Sequence, residues 1–138
     1  MGFKEYIEQD KVKKTITDNQ KLKALIDNSE QYIKGLSKIT IDDINSSMIL
    51  SSYYEALRMI VEAIALEYHY NVYSHEALTS FIEEILKDER SAIQFDRYRK
   101  IRNGINYYGK KVNSEETKEH CKNIILLIQI LKDKHLKK

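Results

Sequence analysis

Basic, aromatic and amide side chains alternate in one short stretch of the last third of the chain, DRYRKIRNGINYYG, which runs from Asp96 to Gly109. Arginine presents a rigid fork of donors that suits phosphate and stays charged at any physiological pH, while tyrosine can stack on a base. The stretch is therefore a candidate polyanion or nucleotide surface. The alternative is a helix end whose cations only compensate the helix dipole. Through Lys111 the cations are Arg97, Arg99, Lys100, Arg102, Lys110 and Lys111.

Within this stretch, Arg102 has the position best suited to bind a ligand. Successive helical residues turn by about 100°, so Arg102 and Asn106 lie beside an apolar stripe of Ile101 and Ile105. An arginine at the margin of the core, next to amide side chains, suits bidentate phosphate binding. The candidate nucleotide- or RNA-binding residues are Arg99, Arg102, Asn103, Asn106 and Tyr107.

A second line of charge lies in the apolar segment before it, where Glu55, Arg58 and Glu62 follow one another at i, i+3 and i+7. Two interpretations are open. The line can be an ion pair at the edge of the core. Alternatively it faces the same cleft as Arg102 and helps to orient that side chain.

Composition limits the classes of protein that the chain can be. Its 138 residues are 42% apolar and 32% charged, which predicts one globular domain over residues 1–138 with a core of about 18–132. Since 23 basic residues nearly balance 21 acidic ones, attraction to nucleic acid requires a local patch. A single cysteine and scattered histidines predict no disulfide, metal or cofactor. No apolar run approaches the roughly 20 residues of a membrane span, so we expect a cytoplasmic protein without a membrane partner.

The elements that position these residues are predicted to be helices, because the chain has no proline, four glycines and apolar residues at spacings of three and four. We expect an all-α antiparallel bundle of four to five main helices, with a short extra helix at the N-terminus. The expected helices cover about residues 3–14, 18–35, 42–70, 74–87 and 91–108, and the last one starts at 113 or 114.

Several details follow from this assignment. The central helix, 42–70, should start with a capping box of Thr40 and Asp43, and its apolar residues, Ile44 and Met48 among them, should face neighbours on several sides. Residues 71–73 are predicted to form a turn. Gly109 should end the fifth helix in a left-handed conformation. The residues expected to face the core are Tyr98, Ile101, Ile105 and Tyr108 in the fifth helix, and Cys121, Ile124, Ile125, Ile128 and Leu131 in the last.

Three features in this order resemble the HEPN superfamily (higher eukaryotes and prokaryotes nucleotide-binding domain). They are the central run SSYYEALRMIVEAIALEYHY, the SHEAL segment at Ser74 to Leu78, and the RNxxxY run at Arg102 to Tyr107, preceded by Tyr98 and Arg99. The resemblance covers roughly residues 20–131. It implies a helical bundle that is commonly dimeric. Many HEPN domains are metal-independent endoribonucleases of toxin-antitoxin and antiviral systems, and others are non-catalytic binding modules or partners of minimal nucleotidyltransferases.

The catalytic HEPN signature pairs an Arg and a following polar residue with a His about four to six residues downstream. Arg102 and Asn103 match its first half, whereas Tyr107, Tyr108 and Gly109 stand where the His is expected. A tyrosine with a pKa of about 10 is a poor base near neutral pH. The resemblance therefore favours a non-catalytic nucleotide- or RNA-binding protein that is part of a toxin-antitoxin or defence system.

Two alternatives stay open. One is an endoribonuclease toxin in which Tyr107 or a remote His replaces the missing base, with Arg102 as the other catalytic residue. The other is an interaction module that partners a minimal nucleotidyltransferase. Because five positions put Arg102 and Tyr107 about 140° apart on a helix, one phosphate should reach both only across a homodimer, whose two motifs would line a shared cleft.

Overall fold

The computed structural model describes residues 1–136, which form an antiparallel helical bundle, so the predicted all-α fold is confirmed. The helices are α1 (Phe3–Glu8), α2 (Asn19–Ser37), α3 (Ser46–Glu67), α4 (His75–Ser80), α5 (Glu89–Tyr108) and α6 (Ser114–His135). A π-helical turn, Phe81–Ile85, continues α4. Two short strands, β1 (Val12–Lys14) and β2 (Tyr70–Val72), complete the described part of the chain.

The strands correct two expectations. Residues 3–14 do not form one helix, since α1 ends at Glu8 and the chain turns through Asp10, whose φ is +60°. Residues 71–73 are not a simple turn either, because β2 pairs antiparallel with β1, Val12 opposite Val72. The pairing buries the Val12 side chain, which is 1% exposed.

The central helix α3 is buried on most of its surface, as its apolar content predicted. Helix α2 packs along it, and the Ser29 hydroxyl donates to the Ala56 carbonyl oxygen at 2.8 Å. Helix α3 starts at Ser46 rather than at 42, so the expected capping box is wrong. The Asp43 carboxylate instead accepts a hydrogen bond, at 2.8 Å, from the amide of Ser114, the first residue of α6.

Some apolar residues expected in the core lie at the surface. Periodicity shows which side of a helix is apolar, but it does not show how much of that side a neighbouring helix covers. Four of the residues expected in the core lie where no neighbour covers them. They are Ile44 (95% exposed), Met48 (62%), Tyr108 (78%) and Ile125 (40%). The predicted left-handed end of α5 is confirmed, with Gly109 at φ +64°.

The buried apolar side chains form one cluster, to which α3, the π-helical turn, α5 and α6 contribute most of the large residues. Phe81 and Phe95 are fully buried there. No helix among residues 1–136 is both long enough and apolar enough to cross a membrane. After the buried residues Phe95 and Tyr98, the next turn of α5 presents a polar side chain, Arg102, to α3.

Candidate functional site

Arg102 lies between α5 and α3 with its side chain 18% exposed. Its Nη2 is 3.6 Å from the Glu55 carboxylate, and its Nη1 is 3.5 Å from both Asn103 Oδ1 and Tyr107 Oη. Arg102 Nε is buried and has no hydrogen-bond partner. Ordinary N–H···O bonds are close to 2.9 Å, so every contact of this guanidinium is long. The charge of Arg102 is partly balanced by Glu55, but its N–H donors make only long contacts or none.

Both interpretations of the charged line on α3 agree with the structure. The line consists of Glu55, Arg58 and Glu62. Arg58 Nη2 pairs with Glu55 at 3.0 Å, and its Nη1 pairs with Glu62. This is the ion pair at a core edge. Glu55 also reaches Arg102, so the same line faces that side chain.

Arg99 is fully engaged with other side chains. Its Nε and Nη2 lie 2.9 and 2.8 Å from Asp96, and the side chain is 11% exposed. Burial tends to raise the pKa of Asp96, but hydrogen bonds from Arg99 and Lys100 outweigh burial and hold that pKa below its ordinary value. Arg99 is therefore held as one half of an ion pair.

The remaining predicted residues lie at the end of α5. Asn106 is exposed, and its Oδ1 accepts from the Ser51 hydroxyl at 3.0 Å. Tyr107 is 67% exposed, and its ring centroid lies 5.6 Å from the Arg102 guanidinium. The expectation that one chain cannot bring Arg102 and Tyr107 together is thus wrong. Helical side chains lean toward the helix N-terminus, and both are long enough to meet.

Sequence reasoning missed two members of the site, Tyr54 of α3 and His75 of α4. His75 Nδ1 lies 3.0 Å from Tyr54 Oη, and the Arg102 guanidinium lies 5.8 Å from the Tyr54 ring centroid. Burial lowers the pKa of His75, and the cations Arg58 and Arg102 lower it further. His75 is therefore neutral near pH 7. Only the SHEAL resemblance pointed to this segment, and nothing local in the sequence places it beside Arg102.

The cluster as a whole is close to electrical balance. Arg58, Arg99 and Arg102 contact four carboxylates, which are Glu55, Glu62, Glu76 and Asp96. The six cations of the original stretch are thus divided. Arg99 and Arg102 turn inward to carboxylates, while Arg97, Lys100, Lys110 and Lys111 are exposed.

In the part of the chain that the structure describes, no group of His, Cys, Asp and Glu side chains is arranged to hold a metal. No family model matches the chain, and no curated protein matches it significantly. The fold and site define an all-α bundle with an arginine–carboxylate cluster between α3 and α5. The HEPN relationship, and the partners and roles that it implies, stay predictions.

Proposed function

We propose that this chain is a HEPN-like protein that binds a nucleotide or RNA without cleaving it, through a phosphate held at Arg102. The observation that carries the proposal is the poor use of the Arg102 donors, all of whose contacts are 3.5 Å or longer. Arg58 and Arg99 have carboxylate contacts of 3.1 Å or shorter, which leave them no comparable capacity.

A phosphate oxygen gives Arg102 the short, charge-assisted bonds that its present neighbours do not. Such bonds are about twice as strong as neutral ones, and the guanidinium fork can make two of them in parallel. The amide of Asn103 and the hydroxyl of Tyr107 already lie next to this fork and can donate to the same anion. The exposed Tyr107 ring also offers a surface on which a base can stack.

The proposal includes the homodimer that the HEPN resemblance implies, although one chain already brings Arg102 and Tyr107 together. A dimer would place two such sites in one assembly. Sedimentation equilibrium tests this part separately. If the protein is a monomer at all concentrations, the dimer is refuted, whereas the proposed binding site is not.

The decisive test is phosphate-ligand binding by the Arg102→Ala variant, with uridine monophosphate and a short RNA as probes. Loss of a bidentate, charge-assisted contact should weaken binding about 10- to 100-fold. Arg90→Ala is the matched control, because it removes an equal charge from an exposed position about 18 Å away along the same helix. Equal binding by both variants, or no salt-sensitive binding by the unmodified protein, would refute the proposal.

One observation favours a second function, endoribonuclease activity. His75 and Arg102 both contact Tyr54, and His75 is held neutral, which is the form that a general base needs to take a proton from an RNA 2′-hydroxyl. The measurement is cleavage of a labelled RNA in the presence of EDTA. This function predicts cleavage that is lost in His75→Gln while RNA binding is kept, and that persists in the surface control His69→Gln. Intact RNA after incubation with the unmodified protein excludes it.

A further inference from the structure

The C-terminal half of α5 and the segment that follows it enclose a hollow of about 320 Å³. Three lysines surround it, Lys100 from the helix and Lys110 and Lys111 from the segment that follows. Apolar side chains and Gly104 form its floor. We call it the lysine hollow, and its principal lining residues are Lys100, Gly104, Ile105, Lys110, Lys111 and Val112.

The charges at the lysine hollow are not balanced as those at Arg102 are. Among the described residues, Lys110 and Lys111 form no ion pair. Lys100 pairs with Asp96 at 3.1 Å but remains 67% exposed. No carboxylate within residues 1–136 lines the hollow. Close cations without acidic partners attract phosphate groups and release counterions when they bind them.

The backbone that carries Lys110 and Lys111 is held in place by its own contacts. Gly109 turns the chain back in a left-handed conformation, and the Lys110 amide donates to the Gly104 carbonyl oxygen at 3.0 Å. The Lys110 side chain crosses Gly104 so closely that a Cβ there would lie 3.1 Å from Lys110 Cδ. Further on, the Val112 amide donates to the Ser47 hydroxyl of α3 at 2.9 Å. The segment is thus anchored at both ends.

Two exposed tyrosines end α5, between Arg102 and Lys110 in sequence. Tyr107 contacts Arg102 and is 67% exposed, and Tyr108 is 78% exposed. Arg102 and Tyr108 are six residues apart, a rise of about 9 Å along the helix. Cations on both sides of exposed aromatic rings are typical of surfaces that bind single-stranded nucleic acid, where bases stack while the backbone follows the charge.

We infer that the lysine hollow binds backbone phosphates of a single-stranded RNA, another phosphate of which lies at Arg102. Tyr107 and Tyr108 stack on the bases between these two points. The inference rests on the proposed function and narrows its ligand from any nucleotide to an oligonucleotide that passes around the C-terminal end of α5.

The test measures binding of oligouridylates, from uridine monophosphate to about eight nucleotides, over a range of salt concentrations. The variant is Lys110→Gln with Lys111→Gln, and the control is Lys13→Gln with Lys14→Gln, two exposed lysines on β1. Without Lys110 and Lys111, the protein should bind the octamer about tenfold more weakly. The slope of log affinity against log salt should fall by about 1.4, because two phosphate contacts are lost. Monophosphate binding should stay unchanged.

Three results would overturn the inference. The first is a lysine variant that binds the octamer as tightly as its control does. The second is an unmodified protein that gains no affinity as the RNA lengthens. The third is polyglutamate of equal charge that binds as tightly as the octamer. Failure of the proposed function gives a different result, which is monophosphate binding that Arg102→Ala leaves unchanged or that the unmodified protein lacks. Circular dichroism of each variant confirms that the fold is retained.

Discussion

Three arginines of similar burial belong to the arginine–carboxylate cluster, and they differ in how fully their donors are used. Arg58 and Arg99 each meet a carboxylate at 3.1 Å or less, whereas Arg102 meets Glu55 only at 3.6 Å. A buried charge with incomplete pairing is costly, and an incoming anion relieves that cost. At the scale of single residues, this difference identifies Arg102 as the candidate binding residue, although the sequence shows all three simply as arginines.

Glu55 competes with any anion for Arg102, which leads to a prediction at this scale. The change Glu55→Gln removes the competing charge, so affinity for uridine monophosphate should rise about five- to tenfold, or roughly 1 kcal/mol. The same change weakens the Arg58 pair and should lower the free energy of unfolding by up to about 1 kcal/mol. Calorimetric titration and urea unfolding measure the two effects.

Glu62→Gln is the matched control for this prediction. Glu62 also pairs with Arg58, but it makes no ion pair with Arg102. Glu62→Gln should lose similar stability without a gain in affinity. An equal gain in both variants would mean that Glu55 does not compete for the ligand.

At the scale of helices and strands, features signalled by local sequence were predictable. Three of the helix caps are of this kind, because a capping side chain bonds an amide only three residues away, whereas the capping box expected at Thr40 and Asp43 is not formed. Asp18, Ser74 and Asn113 accept from the amides of Lys21, Ala77 and Glu116, close to the predicted starts of those helices. Gly109 has the predicted left-handed conformation for the same local reason.

Features that depend on distant partners were not predictable. Strand β1 has three residues, too few to show a period of two, and its partner β2 lies 58 positions later. The π-helical turn keeps helical periodicity in sequence, so nothing distinguishes it from a continued α4. His75 joins the site only because α4 packs beside α3 and α5, and no spacing in the sequence reports that contact.

At the scale of the whole molecule, Asp88 joins the start of α5 to the end of α6. Its carboxylate accepts from the Ser91 amide at 3.1 Å as the cap of α5, and it lies 2.8 Å from His135 Nε2. Lys134 Nζ is 3.8 Å away, and the Asp88 side chain is 8% exposed. The last turn of α6 is thereby fastened across the bundle.

The Asp88 contacts predict how the stability of the protein depends on pH. Burial tends to raise the pKa of Asp88, but hydrogen bonds from His135 and Ser91 outweigh burial and lower that pKa below its ordinary value of 3.8. A carboxyl whose pKa is lower in the folded state stabilises it above the unfolded value, and this contribution disappears as the pH falls through the folded pKa. Stability should therefore decline from about pH 4 downward.

The variant Asp88→Asn isolates this contribution from those of Asp43 and Asp96, whose pKa values are also lowered. Asparagine caps a helix about as well as aspartate, so the variant loses mainly the charged bond to His135. At pH 7 its free energy of unfolding should be lower by about 1.5–3 kcal/mol. Urea unfolding should show the two proteins converging as the pH falls from 5 to about 2, because protonated Asp88 no longer differs in charge from asparagine. A gap of constant size across that range would show that the Asp88 charge does not hold α6 against α5.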